Sequence, residues 1–134
     1  MQIGEICTRT VVTCGGDTSA AELAQTMRDR HVGDVVVVEK GEDGLRPVGI
    51  VTDRDLVVQV LARGADAALW RARDMIVGEP VVVLDTELVY DAIWHMRSRS
   101  IRRLPVVDAH GHLFGILTAD DVARFLAEAL SDLT

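Results

Sequence analysis

The sequence predicts an α/β fold, a tandem pair of strand–helix–strand–strand–helix units whose small sheets face each other. Three observations carry it. The corner GIVTDRD at Gly49–Asp55 returns as GILTADD at Gly115–Asp121. An offset of 69 lays Met96 on Met27, Arg97 on Arg28, Arg99 on Arg30, Val106 on Val37 and Val107 on Val38. Apolar residues make up 49% of the chain and aromatics only 4%, leaving the aliphatic core that suits packed α/β domains.

Each element has its own signal. The β-branched run Thr10–Thr13 predicts a first strand, and Pro80–Leu84 is its counterpart. Ser19–Arg30 and Glu87–Arg99 carry apolar residues at helical spacing, and Ser19 with Glu22 reads as a capping box. Val35–Val38 and Leu104–Val107 are uninterrupted apolar runs, as a strand covered on both faces requires. From Gly49 onward the offset falls to 66, and length changes are tolerated in turns. That shift marks Glu39–Val48 and Asp108–Phe114 as connections. Val48–Val51 and Leu113–Leu117 follow as third strands. The last helices are expected over Arg54–Ala62, ending at Gly64, and over Asp120–Leu130. The two motifs then occupy residues 4–66 and 72–130. Neither covers both faces of its own sheet, so the two are expected to pack together and leave a ligand cleft between them.

Composition excludes several functions. At 134 residues the chain buries roughly 65–70% of its unfolded surface without a staple. A net charge of −7 argues against general binding of nucleic acid or anionic membrane. The opening MQIGEICTRT has no signal-peptide pattern, and no apolar run is long enough to span a bilayer, so a cytoplasmic location is expected. Cys7 and Cys14 read as small residues, not as a zinc pair or a disulfide framework. No phosphate-binding loop of the G-x-x-x-x-G-K type or dinucleotide G-x-G-x-x-G is present, and Lys40 is the only lysine. His31, His95, His110 and His112 form no triad or metal spacing. Neither catalysis nor a bound metal is expected.

The repeated corner takes the chain from a buried strand directly into a helix. Thr52 with Asp55, and Thr118 with Asp121, have the spacing of a reciprocal helix cap, which would account for them structurally. The same geometry suits a nucleotide: helix-start N–H groups and a threonine hydroxyl meet phosphate, and the aspartate accepts from ribose hydroxyls. The glycine heading the corner would let a ligand approach closely. Arg54 and Asp120 differ between the corners, and Arg102 and Arg103 stand near the second where Gly33 and Asp34 stand near the first. This predicts unequal sites, the second favouring phosphorylated ligands.

The doubled unit ending in G-I-V-T-D-R-D and G-I-L-T-A-D-D resembles a pair of CBS (cystathionine-β-synthase) domains, the regulatory Bateman module. The likeness runs from about Gly4 to Leu130, and RDRHVGDVVVVE and RSRSIRRLPVVD match the family's passage from first helix to second strand. It implies a non-catalytic, stand-alone sensor of adenine nucleotides (AMP, ADP, ATP or S-adenosylmethionine), signalling to a separate effector protein. Thr52, Asp55, Thr118 and Asp121 are the matched ribose and phosphate positions. Val11, Val12, Val81 and Val82 are candidates to hold the base. A homodimer is also implied, with Leu56, Val60, Val122 and Leu126 available to an interface. The competing reading is a dimeric protein-interaction module with no nucleotide.

Overall fold

The computed structural model describes residues Met1–Thr134. The chain divides into two compact units, one formed by Val11–Pro80 and the other by Met1–Thr10 together with Val81–Thr134. The lead-in to the first repeat thus packs in the unit of the second, and the lead-in to the second packs in the unit of the first.

In the unit of the first repeat the order is β1 (Thr13–Gly15), α1 (Ala20–Arg30), β2 (Asp34–Lys40), β3 (Leu45–Thr52), α2 (Asp53–Asp55) and α3 (Ala72–Met75). The sheet runs β1-β2-β3, with β1 parallel and β3 antiparallel to β2. Val35, Val36 and Val37 are fully buried, as expected of a central strand. Leu23, Met27, Val51, Val60, Ala72 and Met75 complete the core. The helix cap at Ser19 is half of the expected box: its hydroxyl oxygen accepts from the Glu22 N–H at 3.1 Å, while the hydroxyl itself donates to Glu22 Oε1 at 3.0 Å.

The unit of the second repeat has β4 (Val83–Leu84), α4 (Val89–Arg99), β5 (Arg103–Val107), β6 (Leu113–Thr118) and α5 (Ala119–Asp132), with the same pairing pattern. Its core joins Val83, Ala92, Leu104, Val106, Leu117 and Val122 to Ile3 of the lead-in. The duplication extends to detail. Both sheets have a register irregularity at the matched positions Val37/Val38 and Val106/Val107. Both first helices end on a left-handed non-glycine residue, His31 and Ser100, each with φ of 54°.

Several boundaries differ from expectation. The first strands start later than Thr10 and Pro80, leaving Val11, Val12, Val81 and Val82 just ahead of them. β4 is also shorter than β1, because Pro105 stands in β5 where Val36 stands in β2. Val36 donates its N–H to Val12 O at 3.0 Å. Proline has no N–H to give, and the equivalent pairing is lost. The connection expected over Glu39–Val48 shrinks to residues 41–44, since β2 and β3 continue past their valines as a hairpin. The second turn closes on Asp108, whose Oδ1 accepts from the His110 and His112 N–H groups at 2.8 and 3.0 Å. These donors hold its carboxyl below the usual range. The helix expected over Arg54–Ala62 begins with one α-turn and runs on as a π-helix, Leu56–Leu61. Its Leu-Val-Val-Gln-Val-Leu run is β-branched and crowds an α-helical turn, whereas the Ala-rich α5 stays α-helical.

Both lead-ins dock on the glycine of the repeated corner. Ile3 and Gly4 donate N–H groups to Glu87 O and Asp85 O at 2.8 Å, and Thr8 exchanges two 2.9 Å backbone bonds with Ile116 of β6. A Cβ on Gly115 would lie 2.6 Å from Thr8 O and 2.8 Å from Cys7 Sγ. At Gly49 it would meet Ile76, the residue matched to Cys7, at 2.8 Å. These glycines therefore make room for the protein's own chain and not, as the sequence reading had it, for a ligand.

The two contacts differ in what can yield. Gly115→Ala meets backbone fixed by two hydrogen bonds, while Gly49→Ala meets only the Ile76 side chain. Overpacking of this kind costs about 1–3 kcal/mol. Thermal unfolding should show Gly115→Ala as the more destabilising. Combining Gly49→Ala with Ile76→Val should cost less than the sum of the single changes, because the shortened side chain relieves the clash.

Candidate functional site

At the first corner β3 ends on Thr52 and α2 begins at Asp53. Thr52 Oγ1 accepts from the Asp55 N–H at 3.2 Å, and Asp55 Oδ2 accepts from the Thr52 N–H at 2.8 Å. The second corner repeats this between Thr118 and Asp121 at 3.1 and 2.9 Å. Reciprocal capping is therefore present at both corners. It consumes one oxygen of each carboxylate and leaves the threonine hydroxyl proton free to donate outward. The other oxygen, Oδ1, is what a ligand hydroxyl would have to reach.

The neighbourhoods are unequal. Asp53, exposed at the head of α2, turns its Oδ1 onto the N–H of Arg54 at 2.8 Å. Its Oδ2 lies over Gly33, where a Cβ would come within 3.1 Å, and its own N–H donates to Gly33 O at 2.9 Å. At the second corner Ala119 and Arg102 hold these two positions. Ala119 N–H donates to Arg102 O at 2.8 Å, and the Arg102 guanidinium stands 3.7 Å from Asp120 Oδ1. Arg102 thus lies beside the corner. Arg103 opens β5 in register with Thr118, as Asp34 opens β2 in register with Thr52.

Asp121 is only 9% exposed, and its Oδ1 accepts from Arg124 Nη1 at 3.3 Å. The sequence reading passed over Arg124 because an arginine on an amphipathic helix looks like a solvated charge. Its i,i+3 spacing from Asp121 was the available signal. The equivalent position beside Asp55 is Val58. Asp53 was missed for the same kind of reason, since within a capping sequence it is an unremarked first-turn acid.

Of the four proposed base-holding valines, Val12 packs on the core of the Thr52–Asp55 unit and Val81 on that of the Thr118–Asp121 unit. Val11 and Val82 are half-buried beside them. Arg54 is exposed. Val60 and Val122, two of the four positions that the sequence offered to an interface, are 5% exposed and belong to the cores of their own units. Leu126, at 43%, does present itself outward. Burial raises the Cys7 thiol and pushes that of Cys14 up to about 11, so both are protonated near neutral pH and poor nucleophiles. No three His, Cys, Asp or Glu side chains converge as a metal would require. No helix is long and apolar enough to cross a membrane.

Comparison with known proteins fits this geometry. An uncharacterized protein of Methanopyrus kandleri is 37% identical over 92% of the chain, which spans 62% of that relative's length. The crystal structure of Hypoxic Response Protein I with two coordinated zinc ions matches at a TM-score of 0.81 and 28% identity, covering 93% of this chain and 98% of that one. A CBS domain protein from Pyrobaculum aerophilum, complexed with AMP, matches at 0.79 and 28% identity, covering 96% and 99%. The CBS domain family model matches residues 3–62 and again residues 72–128, each match ending past a corner. The chain therefore belongs to the CBS-domain family, as a tandem pair of its domains.

Proposed function

We propose that this CBS-domain pair is a non-catalytic regulatory module that binds an adenine nucleotide at its repeated corners and passes the signal to a separate protein. One observation carries the reading. After capping its helix, each corner still presents a threonine hydroxyl at the point where a buried strand becomes a helix, beside a second aspartate oxygen that is open on Asp55 and shared with the exposed Arg124 on Asp121. Asp55 and Asp121 then accept from ribose, and Thr52 and Thr118 donate to ribose or phosphate. Val11 and Val12 flank the base at one corner, with Val81 and Val82 at the other. Arg54, Arg102, Arg103 and Asp120 adjust the local charge. AMP in the Pyrobaculum relative supports the ligand class. A ligand drives output only by binding one conformation more tightly than another.

The module acts as a homodimer. Val57 and Leu61 in one unit, and Tyr90, Trp94 and Leu130 in the other, are all more than half exposed, and large apolar side chains left at the surface supply the area that an interface buries. Two free thiols suit the reducing cytoplasm.

Thermal-shift screening against adenosine, AMP, ADP, ATP, S-adenosylmethionine and guanine nucleotides tests the reading. A ligand at ~100 times its Kd adds about 2.7 kcal/mol of stability. Asparagine keeps the cap but loses the charge, so Asp55→Asn and Asp121→Asn should each weaken their own corner by about 1.5–3 kcal/mol in calorimetry. The 2′-deoxynucleotide should bind less well than the ribonucleotide. Equal binding of the two would leave the aspartates as capping residues only.

Light scattering at micromolar concentration should return twice the chain mass of 14.6 kDa. A monomer mass would reject the dimer.

A further inference from the structure

The two corners have each filled a different part of the proposed site with a side chain of their own. At the first, the three leading N–H groups of the helix are all engaged: that of Asp53 by Gly33 O, that of Arg54 by the Asp53 carboxylate, and that of Asp55 by Thr52 Oγ1. A phosphate arriving there must displace a carboxylate from the Arg54 N–H and then sit beside that displaced negative charge. The diol side of the same corner is open. Asp55 Oδ2 serves the cap, Val58 stands where an arginine would compete, and no protein donor takes Oδ1.

At the second corner the obstruction is reversed. Ala119 carries no carboxylate to cover the N–H of Asp120, and the Arg102 guanidinium stands alongside. The diol acceptor, however, is taken. The Asp121 carboxylate, nine-tenths buried, is held by the Thr118 N–H on one oxygen and by Arg124 on the other. A ribose must compete with a cation already in place.

We infer that Asp53 and Arg124 divide recognition between the corners: Asp53 makes the first a seat for the nucleoside without phosphate, and Arg124 weakens the second's hold on ligands that bring only a ribose. This rests on the nucleotide-binding reading above and names the ligand form each corner selects. It goes beyond the repeated motif, because both residues lie outside the Gly, Thr and Asp positions that the repeats share. Arg124 is 66% exposed along its side chain, so its competition is modest, and the effect expected is three- to tenfold at each corner.

Calorimetry with adenosine and AMP tests it. Asp121→Asn reports mainly the first corner and Asp55→Asn mainly the second. In the Asp121→Asn protein, adding Asp53→Ala, which installs the residue found at Ala119, should raise the ratio of AMP to adenosine affinity three- to tenfold. In the Asp55→Asn protein, adding Arg124→Val, which installs the residue found at Val58, should raise adenosine affinity three- to tenfold. Arg124→Gln keeps a polar side chain at this position without the charge and should give the same direction if the valine variant misfolds. An unchanged AMP to adenosine ratio on removing Asp53, or unchanged adenosine affinity on removing Arg124, overturns the inference while leaving nucleotide binding intact. A wild-type protein that binds neither ligand overturns the nucleotide reading itself, and the division of labour with it.

Discussion

The close approach of each lead-in segment to a corner glycine is the contact on which the rest of the structure depends. Gly115 lies under Thr8 and Cys7, and Gly49 under Ile76. Glycine is needed there because the approaching atoms sit at distances no Cβ tolerates. The contact brings Ile3 into one core and Met75 into the other, so neither core is built from one sequence repeat alone. It also seats the strand that ends in the capping threonine. A displaced third strand would carry Thr52 or Thr118, and the helix start behind it, out of place.

Capping and the proposed recognition draw on the same atoms at these corners. A Thr-x-x-Asp box uses one carboxylate oxygen and one hydroxyl lone pair to close the helix, which fixes both side chains in a single rotamer. What remains is preorganised: a hydroxyl proton at each corner and a second carboxylate oxygen, open on Asp55 and shared with Arg124 on Asp121, which a ligand would meet without further loss of entropy. The helix cap would therefore support the proposed site as well as offer an alternative explanation for its residues. The two readings differ only in whether a ribose uses the atoms left over.

Duplication followed by local divergence shows in how the halves differ. Pro105 in place of Val36 removes one donor and shortens a parallel pairing. The valine-rich helix start after Asp55 winds as a π-helix where the alanine-rich α5 does not. Ala119 in place of Asp53, Arg102 in place of Gly33 and Arg124 in place of Val58 invert the charge around an otherwise equivalent corner. None of these changes disturbs the backbone hydrogen bonds that define the corner. The scaffold tolerates them because they fall at exposed or half-buried positions or at the end of a strand pairing.

Local signals alone were enough to read the repeated unit, the order of its elements and the pair Thr-x-x-Asp at each helix start. The apolar runs of β2 and β5, the Thr-x-x-Asp caps and the offset change in a turn are short-range patterns, and short-range physics writes them directly into the chain. Strand edges were less legible, since the absence of a donor at Pro105 matters only once its partner strand is known. The role of Gly49 and Gly115 was misread for a related reason: a glycine announces that something comes close, but the identity of what comes close lies 27 residues away at Ile76 or more than a hundred away at Thr8. Asp53 and Arg124 were present in the sequence as ordinary charges. Only the tertiary structure decided that one covers an N–H and the other a buried carboxylate, because a contact between side chains depends on rotamer and burial, and neither is carried by the spacing of residues along the chain.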